Sequence, residues 1–225
     1  MIKTFALGAV AALALTATSA TAATLNLIGT GQTHTIDDNV GFHNTKVGGN
    51  VGPRILVDGD TIDMITGDQK TALNGLELVG GAARITYTYL GSEAGNDNYA
   101  AQIAGQIFAN HGGTSLNSSI SYIQNAAGLL DFAFGTTAPA SNVGEIMNNG
   151  GAVASVGNLF DFAIGYVKIS DTSFYALFDD IAQGDRDFDD IAMRIDIAAV
   201  PLPAGGLLLL SGLAGAAALR RRKKA

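Results

Sequence analysis

The run from Ile191 to Ala198 constrains this chain more than any other feature. Ile191, Met193, Ile195 and Ile197 alternate with Ala192, Arg194, Asp196 and Ala198. Successive side chains of an extended strand point to opposite faces, so the alternation sets four apolar residues on one side and a charged pair on the other. A helix would scatter the same residues around its axis. The pattern recurs: Ile85, Tyr87 and Tyr89 face away from Arg84, Thr86 and Thr88. Leu130, Phe132 and Phe134 alternate with Asp131 and Ala133, Phe160, Phe162, Ile164 and Tyr166 extend the set, and Phe174, Ala176 and Phe178 precede the last run. Short alternating runs separated by Gly and Asn predict half-buried antiparallel strands. Several of them, with little helical periodicity, predict an all-β fold, an antiparallel β-sandwich. Tyr99 to Asn110 fits two readings, because Ile103 and Ile107 suit a helix face whereas Gly105 weakens one. Gly112-Gly113, Thr136 to Asn142, and Asn148-Asn149-Gly150-Gly151 read as loops. None is long enough for an interdomain linker, so residues 23–199 are expected to form one domain.

Both ends read as addresses. Lys3 gives a positive start, Phe5 to Leu15 is apolar, and Ala20 and Ala22 frame a small-residue cleavage site, the three-part pattern of a secretory signal peptide over residues 1–22. The apolar stretch is too short to span a bilayer, which takes roughly 20 residues. At the other end, residues 200–225 begin with Val200, Pro201, Leu202, Pro203 and Ala204. An uncharged Gly/Leu/Ala run to Leu219 follows, then Arg220, Arg221, Arg222, Lys223 and Lys224. As a helix, Leu202 to Leu219 would reach roughly 27 Å against a bilayer core of about 30 Å. The expectation is a single membrane-anchoring helix, with the basic cluster cytoplasmic and the rest of the chain outside.

That C-terminal arrangement resembles the PEP-CTERM sorting signal in its VPLPA variant: motif, apolar helix, terminal Arg/Lys cluster. The resemblance covers about 25 residues. It implies recognition and removal of the tail by an exosortase, a membrane transpeptidase-like enzyme. It also implies Gram-negative bacteria that make exopolysaccharide, and delivery to the cell surface or extracellular matrix.

Between the ends the charge is one-sided. All 20 acids lie there with only seven of the 13 bases, leaving thirteen net negative charges. Such a balance argues against nucleic acid as a partner, which needs a basic footprint. With no Cys, the chain has neither a disulfide framework nor a thiolate site. The acids concentrate in a repeat, Phe-Asp-Asp-Ile-Ala, at 178–182 and again at 188–192, joined by a turn-like Gln183-Gly184-Asp185-Arg186-Asp187. Asp185, Asp187 and Asp189, followed by Asp190, alternate like the opening of a Ca²⁺ loop, in which hard oxygen ligands meet a hard cation. An EF-hand is excluded, because its sixth position would be Asp190 rather than Gly and its twelfth Asp196 rather than Glu. Two readings stand: a Ca²⁺ site, and a solvated acidic turn that keeps a surface strand from pairing. The segment also resembles an acidic hairpin common near the end of PEP-CTERM surface proteins, and Tyr89 to Gly95 resembles a Y-x-G-x-E-A-G stretch of such proteins. Glu93, Asn96, Asp97 and Asn98 offer a second oxygen cluster or a polar turn.

Catalytic fingerprints are missing: no G-x-S-x-G, P-loop or G-x-G-x-x-G occurs. His34, His43 and His111 are expected as exposed loop residues, since no helix presents His34, Asp37, Asp38 and His43 as zinc ligands. Carboxylate pairs are numerous enough for a glycosidase site, but the absence of Trp removes the usual sugar-stacking platform. The expected function is a non-enzymatic exported surface or matrix protein. The runner-up is a calcium-dependent carbohydrate-binding module associated with exopolysaccharide, and a hydrolase comes third.

Overall fold

A computed structural model describes residues 22–29, 32–36, 56, 59–66, 74–93, 96–102, 105–111, 114–136, 145–150, 162–180, 186–200 and 212–215. The described residues are nearly all β, and every described strand pair is antiparallel. The largest sheet has seven strands in the order β2 (Gln32–Thr35), β3 (Thr61–Thr66), β12 (Ala163–Ser170), β13 (Ser173–Asp179), β14 (Ile191–Ala199), β5 (Ala83–Gly91) and β8 (Ser119–Gln124). A four-stranded sheet runs β11 (Glu145–Asn148), β10 (Ala133–Thr136), β6 (Asn98–Gln102) and β7 (Gly105–Ala109). A third sheet joins β1 (Thr24–Ile28), β4 (Gly75–Val79) and β9 (Gly128–Leu129).

The alternating residues do what period two requires. Ile85, Tyr87 and Tyr89 of β5, Phe174, Ala176 and Phe178 of β13, and Ile191, Met193 and Ile195 of β14 are buried in one core. Leu25, Leu76 and Leu78 of the three-stranded sheet and Ala100, Phe108, Phe134 and Met147 of the four-stranded one fill that core from the other side. Rings lock the layers: Phe134 stacks on Phe178 at 5.3 Å, and Tyr89 meets Phe108 at 5.7 Å. Of Tyr99 to Asn110, the described residues up to Ala109 are strand: β6 and β7 pair antiparallel with a register shift at Ala100/Ala101. Ile103 and Phe160 lie outside the described residues.

The far face of the seven-stranded sheet departs from the expected polar surface. Ala192, Ala163 and Leu177 are fully buried there with Ile36, Leu56, Ile62, Met64 and Phe188. The cause is the connection between β13 and β14. It folds back so that Phe188, at φ +60°, enters this second core. A Cβ on Gly165 would stand 2.6 Å from Ile62 Cδ1 and 2.9 Å from Phe188 Cδ1, so the residue beneath that ring has no room for a side chain. The two Phe-Asp-Asp-Ile-Ala copies are therefore not equivalent: Phe178 serves one core and Phe188 the other.

Asn149 ties all three sheets together. Its Oδ1 accepts from Leu76 N–H of β4 at 2.7 Å and from the Tyr166 hydroxyl of β12 at 3.0 Å. Its Nδ2 donates to the carbonyls of Leu76 and Leu130, both at 2.8 Å, and its N–H to that of Phe132. A side chain on Gly75, which sits at φ +138°, would collide with the Asn149 amide.

Candidate functional site

The β13–β14 connection gathers most of the carboxylates, and a second segment completes the cluster. Asp180 is 2% exposed. Its carboxylate accepts from Asn96 Nδ2 at 3.2 and 3.1 Å, and its own N–H donates to Asp190 Oδ2 at 2.6 Å. Glu93 N–H donates to the Asp189 carbonyl at 2.8 Å, anchoring the loop after β5 to the loop before β14. Asp179 and Asp189 are buried as well, at 2% and 9% exposure.

Burial is the first reason that the Asp189 carboxyl is held far above the ordinary carboxylate range; Asp187, Asp190 and Glu93 push the same way. Asp190 is raised too, again by burial first and then by Asp180, with the Asp180 N–H opposing. Each carboxylate disfavours ionisation of its neighbours. The nearby base, Arg186, directs Nη1 to Met64 Sδ at 3.6 Å. Arg186 and Phe188 both adopt positive φ, a conformation costing on the order of 1–3 kcal/mol each for residues with a Cβ. Burial of Phe188 offsets that cost and aims the acids between them and β14.

Of the expected metal ligands, Asp187, Asp189 and Asp190 thus come together, while Asp185 lies outside the described residues. Among the described residues no three acidic or His side chains converge closely enough to hold a metal ion as they stand. The donor set is all oxygen, which suits protons and hard cations. The two oxygen clusters expected separately divide differently: Glu93 and Asn96 join the acidic loop, whereas Asp97 and Asn98 do not.

Asp97 instead holds His111, Oδ1 to Nδ1 at 2.6 Å. With Asn98, Tyr99, Gln106 and Ala109 they line an open depression of about 140 Å³. Neither described histidine is an exposed loop residue. His111 is half-buried against Asp97, and His34 lies on β2 with its ring 5.4 Å from that of Phe188. His43, Asp37 and Asp38 lie outside the described residues.

No family model, curated protein or solved structure matches the chain. The addresses fall largely outside the described residues: residues 1–21, including Ala20, then Pro201, Leu202, Pro203, Ala204, and Arg220, Arg221, Arg222, Lys223 and Lys224. Ala22 is exposed just ahead of β1, Val200 N–H closes the fold by donating to the Ala82 carbonyl at 3.1 Å, and residues 212–215 form a helical turn. Among the described residues no helix is long and apolar enough to cross a membrane.

Proposed function

We propose that the chain is a non-enzymatic exported protein of the cell surface or extracellular matrix. Its sheets form a β-sandwich ectodomain between a signal peptide and a VPLPA-type tail that an exosortase-like enzyme recognises. One observation carries the reading. The described strands start at Thr24 and stop at Ala199, so the described pairing lies between the two address segments. Cutting after residue 22 and within the tail therefore breaks no described strand pair. The acidic exterior suits a polysaccharide matrix crosslinked by divalent cations.

Deletion of residues 200–225 is expected to move the protein from the membrane and surface fractions into periplasm or medium with its fold kept, its melting temperature falling by no more than about 4 °C for the lost Val200–Ala82 bond. Fractionation and thermal unfolding check this. An unchanged location sinks the sorting reading.

A calcium-dependent carbohydrate-binding module is the second reading, favoured by the acidic cluster and by the polar depression at Asp97, Gln106 and His111. In this reading Asp187, Asp189 and Asp190 hold the cation, which orders the loop, and the depression takes a sugar unit. It predicts retention on exopolysaccharide that is lost in EDTA. Equal retention with and without EDTA, or none in either, rejects it.

A further inference from the structure

Among the described residues the seven-stranded sheet ends on β8, and none of them blunts that edge. Natural edge strands are protected by charge, Pro, a bulge or a covering segment. Ser119, Ile120, Ser121, Tyr122, Ile123 and Gln124 supply neither charge nor Pro, and no Lys, Arg, Asp or Glu occurs between Asp97 and Asp131. Pairing with β5 runs without a register shift from Ala83↔Gln124 to Thr88↔Ser119. Ile120 and Ile123 are 39% and 45% exposed, and no described segment covers the strand.

The direction of its main-chain groups follows from one bond. Tyr89 N–H donates to the Ser118 carbonyl at 2.9 Å. Opposed antiparallel residues alternate between pairs bonded to each other and pairs facing away. Ile120 and Tyr122 therefore turn their N–H and C=O toward β5, as Ser118 does its C=O (its N–H donates to the Ser115 carbonyl), and Ser119, Ser121 and Ile123 turn theirs to the open edge.

We propose that this edge pairs antiparallel with β8 of a second copy of the chain, about a twofold axis at Ser121. A twofold contact must be self-complementary, and an antiparallel strand pair is. Centring on Ser121 opposes Ser121 with Ser121, Ser119 with Ile123 twice, and Ile120 with Tyr122 twice. All the edge-facing residues of both copies then exchange their bonds, about six across the junction. Ile120 against Tyr122 is a β-branched residue on an aromatic one, a favourable cross-strand pair. Both faces are already prepared. Tyr122 Oη is held by Tyr87 Oη at 3.1 Å, and the Ser121 and Ser119 hydroxyls by those of Thr86 and Thr88 at 2.8 and 3.0 Å. Charge supplies the selectivity: two copies of a strongly acidic domain repel over most of their surface, and this neutral edge is where they can approach. The pairing goes beyond the sorting reading and does not depend on it.

The chain has no Cys, so each Cys variant carries only the thiols introduced. The full chain in mild detergent is treated with a short bismaleimide, comparing Ser121→Cys, Ser119→Cys and, on the opposite edge, Thr33→Cys. The two copies of residue 121 are neighbours across the axis, whereas those of 119 are about 13 Å apart along the strands, so Ser121→Cys is expected to form covalent dimer roughly tenfold faster than either other variant. The double variant S119C/I123C should regain the fast rate, because those positions oppose each other. Equal rates for Ser121→Cys and Ser119→Cys, or no dimer from Ser121→Cys, overturns the proposal.

Discussion

Asn149→Ala is expected to lower the stability of the folded chain by about 4 kcal/mol, a fall of roughly 8–16 °C in melting temperature for a domain of this size. The substitution removes a side chain that satisfies Leu76 N–H, the Leu76 and Leu130 carbonyls and the Tyr166 hydroxyl, all within the interior. Stranding a buried polar group costs about 1–3 kcal/mol, and water has little access to repair the loss. Tyr166→Phe removes one bond of the set together with its donor, so it should cost only about 1 kcal/mol. Thermal unfolding followed by circular dichroism gives both values. If Asn149→Ala melts within about 2 °C of the parent, the three sheets are held by their apolar core alone and the amide is incidental.

Asn149 also marks the limit of what the sequence discloses. Within Asn148-Asn149-Gly150-Gly151 it has the composition of a loop, and no local pattern says that its amide will be buried under Tyr166. The strands were legible because burying one face writes period two directly into the residues: Ile191, Met193, Ile195 and Ile197 announce β14 unaided. The second core was not, because Ala163, Ala192 and Gly165 on the far face read as filler between the larger residues of the first. Only the return of Phe188 over them makes their small size meaningful. Likewise the Phe-Asp-Asp-Ile-Ala repeat suggests two equal copies, yet positive φ at Arg186 and Phe188 sends the second ring to the opposite face. The acidic loop itself was visible as a run of Asp. Its partners Glu93 and Asn96 were not, since Asn96 lies 84 residues from Asp180 and nothing in the spacing ties them.

In EDTA, the folded chain is expected to become more stable as the pH falls from about 8 to about 5.5, the reverse of ordinary acid denaturation. Asp189 and Asp190 carry carboxyls raised first by burial and then by neighbouring carboxylates, Asp187 among them in both cases, whereas in the unfolded chain each returns to about 4. Across that window the folded state binds more protons than the unfolded one, so stability falls as pH rises and the loss is complete only above the raised folded values. One such group gives a slope of up to about 1.4 kcal/mol per pH unit. Allowing for coupling and loop opening, about 2 kcal/mol between pH 5.5 and 8 is expected, or roughly 4–8 °C. Asp189→Asn mimics the protonated form. It should therefore raise the melting temperature at pH 8 in EDTA and remove much of the slope, where most substitutions at buried positions do harm. A cation competes with those protons, so about 10 mM Ca²⁺ should stabilise at pH 8 far more than at pH 5.5 if the cluster binds the ion, by roughly 2.7 kcal/mol at a Kd near 10⁻⁴ M. Asp189→Asn would then forfeit that gain. A melting temperature that ignores calcium but keeps the pH slope identifies a cluster neutralised by protons alone. One that ignores both leaves Asp187, Asp189 and Asp190 as solvated surface charge, and the calcium-dependent reading falls with them.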